Sequence, residues 1–367
     1  MRKTLSLVVA LAPGLASPVA AQGLTTANLR VAPQFISYTF DQGGQKTKVS
    51  EMAVPIAFAI PLTSRINFDV ASAFASSTVD DGGNKSTISG LTDTQVRLNY
   101  VTTDQALVLT VGLNVPSGQY EIADSKIAAA GQIGNDFLAF PVSSFGNGFA
   151  GTFGAGLAHS VGQWNVGLGA SMRKSVEFSA FKSSTDVVHF TPANEIRARL
   201  GADRDVAGGK VMLGLVYSHF GDDACAGCVT GTARTTYSTG DRIIGQAAFN
   251  APLGEKQLYL GGWLLHHAAG QNLNGAAPSE NIENVMVALG FNAGSLFLEP
   301  SIEGRLWQVG GSSAGTLAFV GVRTQFQAGS LAISPSVAIA VTGKLNGSTD
   351  TSVTGSKLGV TIRWSKE

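Results

Sequence analysis

Residues Asn194–Asp205 read NEIRARLGADRD. Ile196, Ala198, Leu200 and Ala202 alternate with Glu195, Arg197, Arg199 and Asp203. Side chains of a strand point alternately to its two faces, so this period of two makes a ribbon with one apolar and one charged side. A helix would scatter the same charges around its whole circumference. The pattern recurs at Arg65–Phe74, where Ile66, Phe68, Val70 and Phe74 oppose Arg65, Asn67 and Asp69. It recurs at Thr92–Tyr100, with Val96, Leu98 and Tyr100 against Asp93, Gln95, Arg97 and Asn99, and again at Lys357–Trp364. In Leu296–Leu306 the apolar set Leu296, Leu298, Ile302 and Leu306 stands against Glu299, Glu303 and Arg305.

The connections decide between a soluble sandwich and a barrel. About sixteen such segments are expected, with about fourteen left open because 163–177 and 256–268 are apolar on both faces in places. Short turns such as Ala207-Gly208, Gly254-Glu255 and Ala328-Gly329 alternate with longer polar stretches such as DQGGQK and VDDGGNKSTI. A sandwich has no reason to segregate its loops by length. Outer-membrane barrels carry short periplasmic turns, long external loops and an even strand count. The expected fold is therefore all-β: a closed antiparallel transmembrane β-barrel. Closure is required because an open strand edge in hydrocarbon leaves backbone groups unpaired.

Composition agrees. The chain has 367 residues, no formal net charge, 14% charged residues and 45 glycines. No basic cluster invites nucleic acid. At the N-terminus, Arg2 and Lys3 precede the apolar LSLVVALAPGLA, and Val19-Ala20-Ala21 precedes Gln22, the pattern of a secretory signal over 1–21. Residues 22–367 are then one barrel domain destined for the bacterial outer membrane, with outer-membrane lipid and lipopolysaccharide as surroundings. Cys225 and Cys228 form a lone CxxC; in an exported protein a small disulfide loop is expected, a metal site needing further ligands. No cofactor is expected, and the dispersed histidines point away from an enzyme. Asp80-Asp81 and Asp222-Asp223 read either as solvated loop carboxylates or as cation sites bridging lipopolysaccharide. Trp164, Trp263, Trp307, Trp364, Tyr100, Tyr217 and Tyr259 lie near strand ends, where an interfacial girdle belongs.

If the apolar faces meet lipid, then Arg65, Asp69, Asp93, Arg97, Glu195, Arg197, Arg199, Asp203, Glu299, Glu303 and Arg305 face the lumen. Two roles fit them: mutual neutralisation across a packed interior, or lining of a water-filled passage. The run 116–147 is the longest interval without alternation. It falls at the third external loop, the position of the inward-folding loop of general porins, which it resembles in place and length. Its Tyr120, Phe137, Phe140 and Phe145 are unusual for a loop left in water, and an inward plug is expected.

The stretch SGLTDTQVRLNYVTTDQALVLTVGLNVPSG, Ser89–Gly118, resembles a pattern in outer-membrane proteins linked to aromatic-compound degradation, related to the long-chain fatty-acid transporters. That resemblance implies a channel for passive uptake of small, hydrophobic or aromatic molecules. Strand one is expected within about ten residues of Gln22, with no room for the N-terminal hatch of fatty-acid transporters, so any plug is expected to come from a loop; Trp364, three positions from the end, stands in for the final aromatic typical of barrel precursors. The alternative is a closed barrel serving as a surface, structural or adhesion protein. Solute and oligomeric state are not legible.

Overall fold

The computed structural model describes residues 26–102, 106–119, 121–182, 187–228, 234–273, 275–294, 296–347 and 350–365. The segment 1–21 lies outside them. Eighteen hydrogen-bonded segments form the main sheet, and two of its strands are each interrupted once, so sixteen strands result. They are β1 (Asn28–Val31 and Gln34–Gln42), β2 (Gln45–Pro61), β3 (Ile66–Asp80) and β4 (Lys85–Leu91 and Thr94–Val101). Next come β5 (Leu107–Val115), β6 (Ala150–Val161), β7 (Trp164–Ser175) and β8 (Glu195–Val206). The third group is β9 (Gly209–Phe220), β10 (Arg242–Leu253), β11 (Lys256–His267) and β12 (Glu280–Ala293). The last is β13 (Leu296–Val309), β14 (Ser312–Ala328), β15 (Leu331–Leu345) and β16 (Thr351–Ser365). Each pairs antiparallel with its neighbour in sequence, and β1 pairs with β16 through Arg30↔Arg363 and Tyr38↔Gly355. That last pairing closes the barrel and leaves no edge.

The alternation sorts the faces as expected. Phe153, Leu168, Ile196, Leu200, Val285 and Ile302 are large apolar side chains turned outward and exposed. Such residues recur on strand after strand, a continuous apolar belt that only lipid can cover. Trp164, Trp364, Tyr100 and Tyr217 also lie on this outer face. Trp263, Trp307 and Tyr259 do not: Trp263 and Tyr259 are buried, and Trp307 stacks on Phe137 inside the barrel. A girdle position was expected for them because closeness to a strand end says nothing of the face.

The external side is shorter-looped in places than the polarity of its sequence implies. DQGGQK is not a loop but the tip of the β1–β2 hairpin, turned at Gly43 and Gly44 with φ of 61° and 95°. Polar strands simply continue beyond the membrane. Loops three to five also build an outer five-stranded sheet from Ile122–Ala123, Phe178–Lys182, Val187–Thr191, Asp223–Ala226 and Thr235–Tyr237. Cys225 and Cys228 are joined there, with Cα atoms 5.8 Å apart.

Candidate functional site: a lumen divided by its third external loop

Within the run 116–147, Ile122–Ala123 joins the outer sheet and residues from Ala129 to Phe145 pack against the inner wall of the barrel. The run contains a one-turn 3-10 segment, Asp124–Lys126, and a short helix, Ile127–Ile133. Phe137, Leu138, Phe140 and Phe145 are 0–2% exposed. They share one core with Ile36 and Tyr38 of β1, Val49 of β2, Ile88 of β4, Trp263 of β11, Ile282 of β12, Phe319 of β14 and Val353 of β16. Aromatic side chains on a loop have no stable place in water, and burying each against the wall is worth roughly 1.5–3 kcal/mol. Tyr120 lies outside the described residues.

Polar bonds fix the loop's path. The Tyr38 hydroxyl donates to the Leu138 carbonyl (2.9 Å), and the Val142 N–H donates to the fully buried Glu51 carboxylate (3.0 Å). From the opposite wall Arg305 donates to the Phe137 carbonyl (2.5 Å), and Arg242 pairs with Asp136 (2.7 Å). Phe137 stacks on Trp307 with ring centres 5.2 Å apart. The loop thus spans the lumen from β1 and β2 to β10 and β13.

Its neck is tied at one carboxylate. Asp93 sits in the interruption of β4, not on a strand face, and accepts N–H bonds from Gly118 (3.2 Å), Asn147 (2.7 Å) and the Asn114 side chain (2.8 Å). Asn114 donates also to the Gly148 carbonyl (2.6 Å). A methyl group on Gly118 would collide with the Phe145 carbonyl oxygen and the Asp93 backbone nitrogen, so the chain crosses itself here only because position 118 has no side chain.

The charged residues divide into two environments. On the plugged side Glu303 accepts from Arg305 (2.6 Å), Asn284 (2.8 Å) and Lys357 (3.2 Å), while Arg305 is 3% exposed. The Lys357 ammonium lies 3.7 Å from the centre of the Phe319 ring, and Glu299 pairs with Arg323 (2.8 Å). These groups neutralise one another in a packed interior. On β4 to β8 the arrangement is looser. Arg97 stands 4.0 Å from Asp69 with its side chain 42% exposed, and Arg199 is exposed. Arg197 pairs with Glu195 (2.6 Å) near the external end of β8. Asp203 pairs with Lys210 (2.8 Å) and Asn165 (3.1 Å) at the periplasmic end.

Arg65 departs from expectation. It precedes β3 in an exposed turn, where Thr63 Oγ1 accepts from the backbone N–H of Arg65 and Ile66. That turn starts the strand at Ile66, one residue later than the sequence pattern implied. Asp80 and Asp81 accept N–H bonds from Gly82, Gly83 and Asn84, the ordinary work of turn carboxylates.

Sequence reasoning missed Arg173, Lys357, Glu51 and Tyr38. Arg173 faces inward beside Ser171, Gly169 and Gly167. Glycine contributes to neither face, so the alternation of β7 is invisible until its register is known.

A closed ring of sixteen strands, an apolar belt and a polar interior are now all in place. The chain is a transmembrane β-barrel of the bacterial outer membrane. No protein-family model matches it, and no curated protein is significantly similar in sequence. Solved structures do show likeness of layout. OprB of Pseudomonas putida is 13% identical, with 94% of each chain covered and a TM-score of 0.49. An outer-membrane channel from Pseudomonas putida F1 is 12% identical over 95% of this chain and 99% of its own, TM-score 0.40. A mutant of TodX, a monoaromatic hydrocarbon channel, is 9% identical over 94% and 91%, TM-score 0.44. Among the described residues no group of three His, Cys, Asp or Glu is placed to hold a metal ion.

Proposed function

We propose that the protein is a passive outer-membrane channel for small solutes, its lumen narrowed by the inward loop 116–147. The observation that carries this reading is the loop's asymmetry. Its core contacts fall on β1–β4 and β10–β16, while the inner faces of β5–β8 carry small residues (Gly112, Gly154, Gly167, Gly169) and solvent-accessible arginines. A barrel stabilised only as a scaffold has no need of exposed charge on a wall its plug leaves uncovered. Asp69, Arg97, Arg197 and Arg199 are assigned to the passage, and Phe137, Phe140 and Phe145 to the plug. Glu299, Glu303 and Arg305 are assigned to the plug's seat.

The wall left uncovered is polar, which favours hydrated solutes over the hydrophobic or aromatic cargo implied by Ser89–Gly118. Lipopolysaccharide contact belongs to the external carboxylates and is secondary to this reading.

Conductance in planar bilayers tests the proposal. The purified barrel is expected to conduct, and deletion of 120–144 is expected to raise single-channel conductance and entry of large antibiotics. A barrel that inserts but never conducts, with or without the loop, would be a surface or structural protein instead.

A further inference from the structure

The wall that the plug leaves uncovered bears an excess of cations, and we infer that the passage selects small organic anions, with Arg199 as the midway binding residue. This rests on the channel reading and adds the solute's chemistry to it.

Four guanidinium groups project from β4, β7 and β8: Arg97, Arg173, Arg197 and Arg199. Their protein partners are fewer. Asp69 stands near Arg97 and Glu195 binds Arg197, whereas Arg173 and Arg199 form no ion pair among the described residues. Arg173 lies across from Glu195, which already binds Arg197, and Asp93 acts on Arg173 more weakly still, its oxygens taking the three N–H donors of the loop neck. Arg97 and Arg197 both act on Arg199 as like charges, with only Glu195 opposing them. Elsewhere in the interior Arg305 and Lys357 share Glu303, Arg323 has Glu299, and Lys210 has Asp203, while Arg30 and Arg363 face one another in register at the periplasmic end of β1 and β16. On the wall that the plug leaves uncovered, cations outnumber the carboxylates paired with them among the described residues.

The floor beneath these arginines keeps them reaching inward. The stem of Arg97 lies across Gly112, where an added Cβ would come within 3.1 Å of its Cγ, and Arg199 lies beside Gly169. With no side chains to stack on, the guanidinium forks remain free for a planar bidentate partner, which a carboxylate supplies. Like charges held together in a channel focus the field and concentrate the opposite ion. A neutral solute gains nothing from this wall.

The test uses the full barrel in planar bilayers under a KCl gradient, with heat-shifted gel mobility confirming that each variant is folded. Wild type is expected to prefer chloride over potassium at low salt. A unit charge within roughly a Debye length changes local ion concentration about twofold, so the double variant Arg173→Gln/Arg199→Gln is expected to lose about fourfold in that preference. Lys46→Gln, on the external hairpin, is expected to leave it unchanged. In liposome swelling the same double variant should slow gluconate entry and leave glucose entry alone. A cation preference in wild type, or an unaltered preference in the double variant, overturns the anion assignment while the channel stands. A barrel without any conductance overturns both.

Discussion

Asp93 is the residue on which the plug turns. Its two oxygens collect donors from Gly118 and Asn147 at the two ends of the loop and from Asn114 of β5, each a charge-assisted bond. Asparagine at this position keeps the volume but turns an amide N–H₂ toward one set of donors. Asp93→Asn is therefore expected to cost about 1.5–3 kcal/mol at the loop neck. The loss should appear as flickering, larger conductance with little change in the urea midpoint of the barrel. Quiet channels of wild-type size would show that the aromatic seat alone holds the loop. The sequence did mark Asp93, but as one more charge on an alternating strand. Its real position follows from a break between Leu91 and Thr94 that periodicity cannot reveal, since Thr92 and Asp93 continue the pattern on paper.

At the level of elements, the strands were far more legible than what joins them outside. A spanning strand must be apolar toward lipid, so its pattern is forced by the solvent. The outer sheet obeys no such rule. Val187–Thr191 forms a strand of this sheet, Thr191 leads into Pro192, and the chain enters the barrel only at Glu195. Asp223 of this sheet accepts the Ala193 N–H (2.8 Å) at that corner, and burial pushes its carboxyl pKa up. A raised folded pKa means the charged form is disfavoured by folding. The penalty is present at neutral pH and disappears as pH falls below the unfolded value. Asp223→Asn keeps the acceptor oxygen without the charge. It is expected to raise hydrogen-exchange protection across Val187–Thr191 at pH 7, with the gain shrinking toward pH 4. Lower protection in the variant at pH 7 would mean that the corner needs the carboxylate's charge. Asp241, before β10, shifts the other way. The Tyr217 hydroxyl (2.6 Å) and His219 (2.9 Å) hold its carboxyl pKa low, so its contribution persists until the pH falls through that depressed value.

For the whole molecule the governing distinction is inside against outside. Leu200 and Arg199 are neighbours in sequence and face lipid and lumen respectively. Leu200→Arg is expected to destabilise by about 2–4 kcal/mol if it lies near the bilayer midplane, whereas Arg199→Leu should leave folding nearly unchanged. Urea unfolding in lipid vesicles checks the pair, and equal effects would contradict the assigned faces. The sequence located the charged faces but could not tell neutralisation from lining. Glu303 and Arg305 look no different in the chain from Arg197 and Arg199. Only the loop's off-centre seat, set by contacts a hundred or more residues apart in sequence, gives the two groups different surroundings.

The seat also straddles the join between the first and last strands of the barrel. Ile36 and Tyr38 of β1 and Val353 of β16 stand on the two sides of that join and belong to the same core as Phe137 and Phe140. The loop's binding surface is complete only when the first and last strands have met. During assembly the ordering of that surface must come late, because the loop-closure entropy of the whole ring has to be overcome before the aromatic contacts form. The loop is thereby a keystone: it locks an arch that is already standing, and its burial inside the barrel reports that the ring is shut.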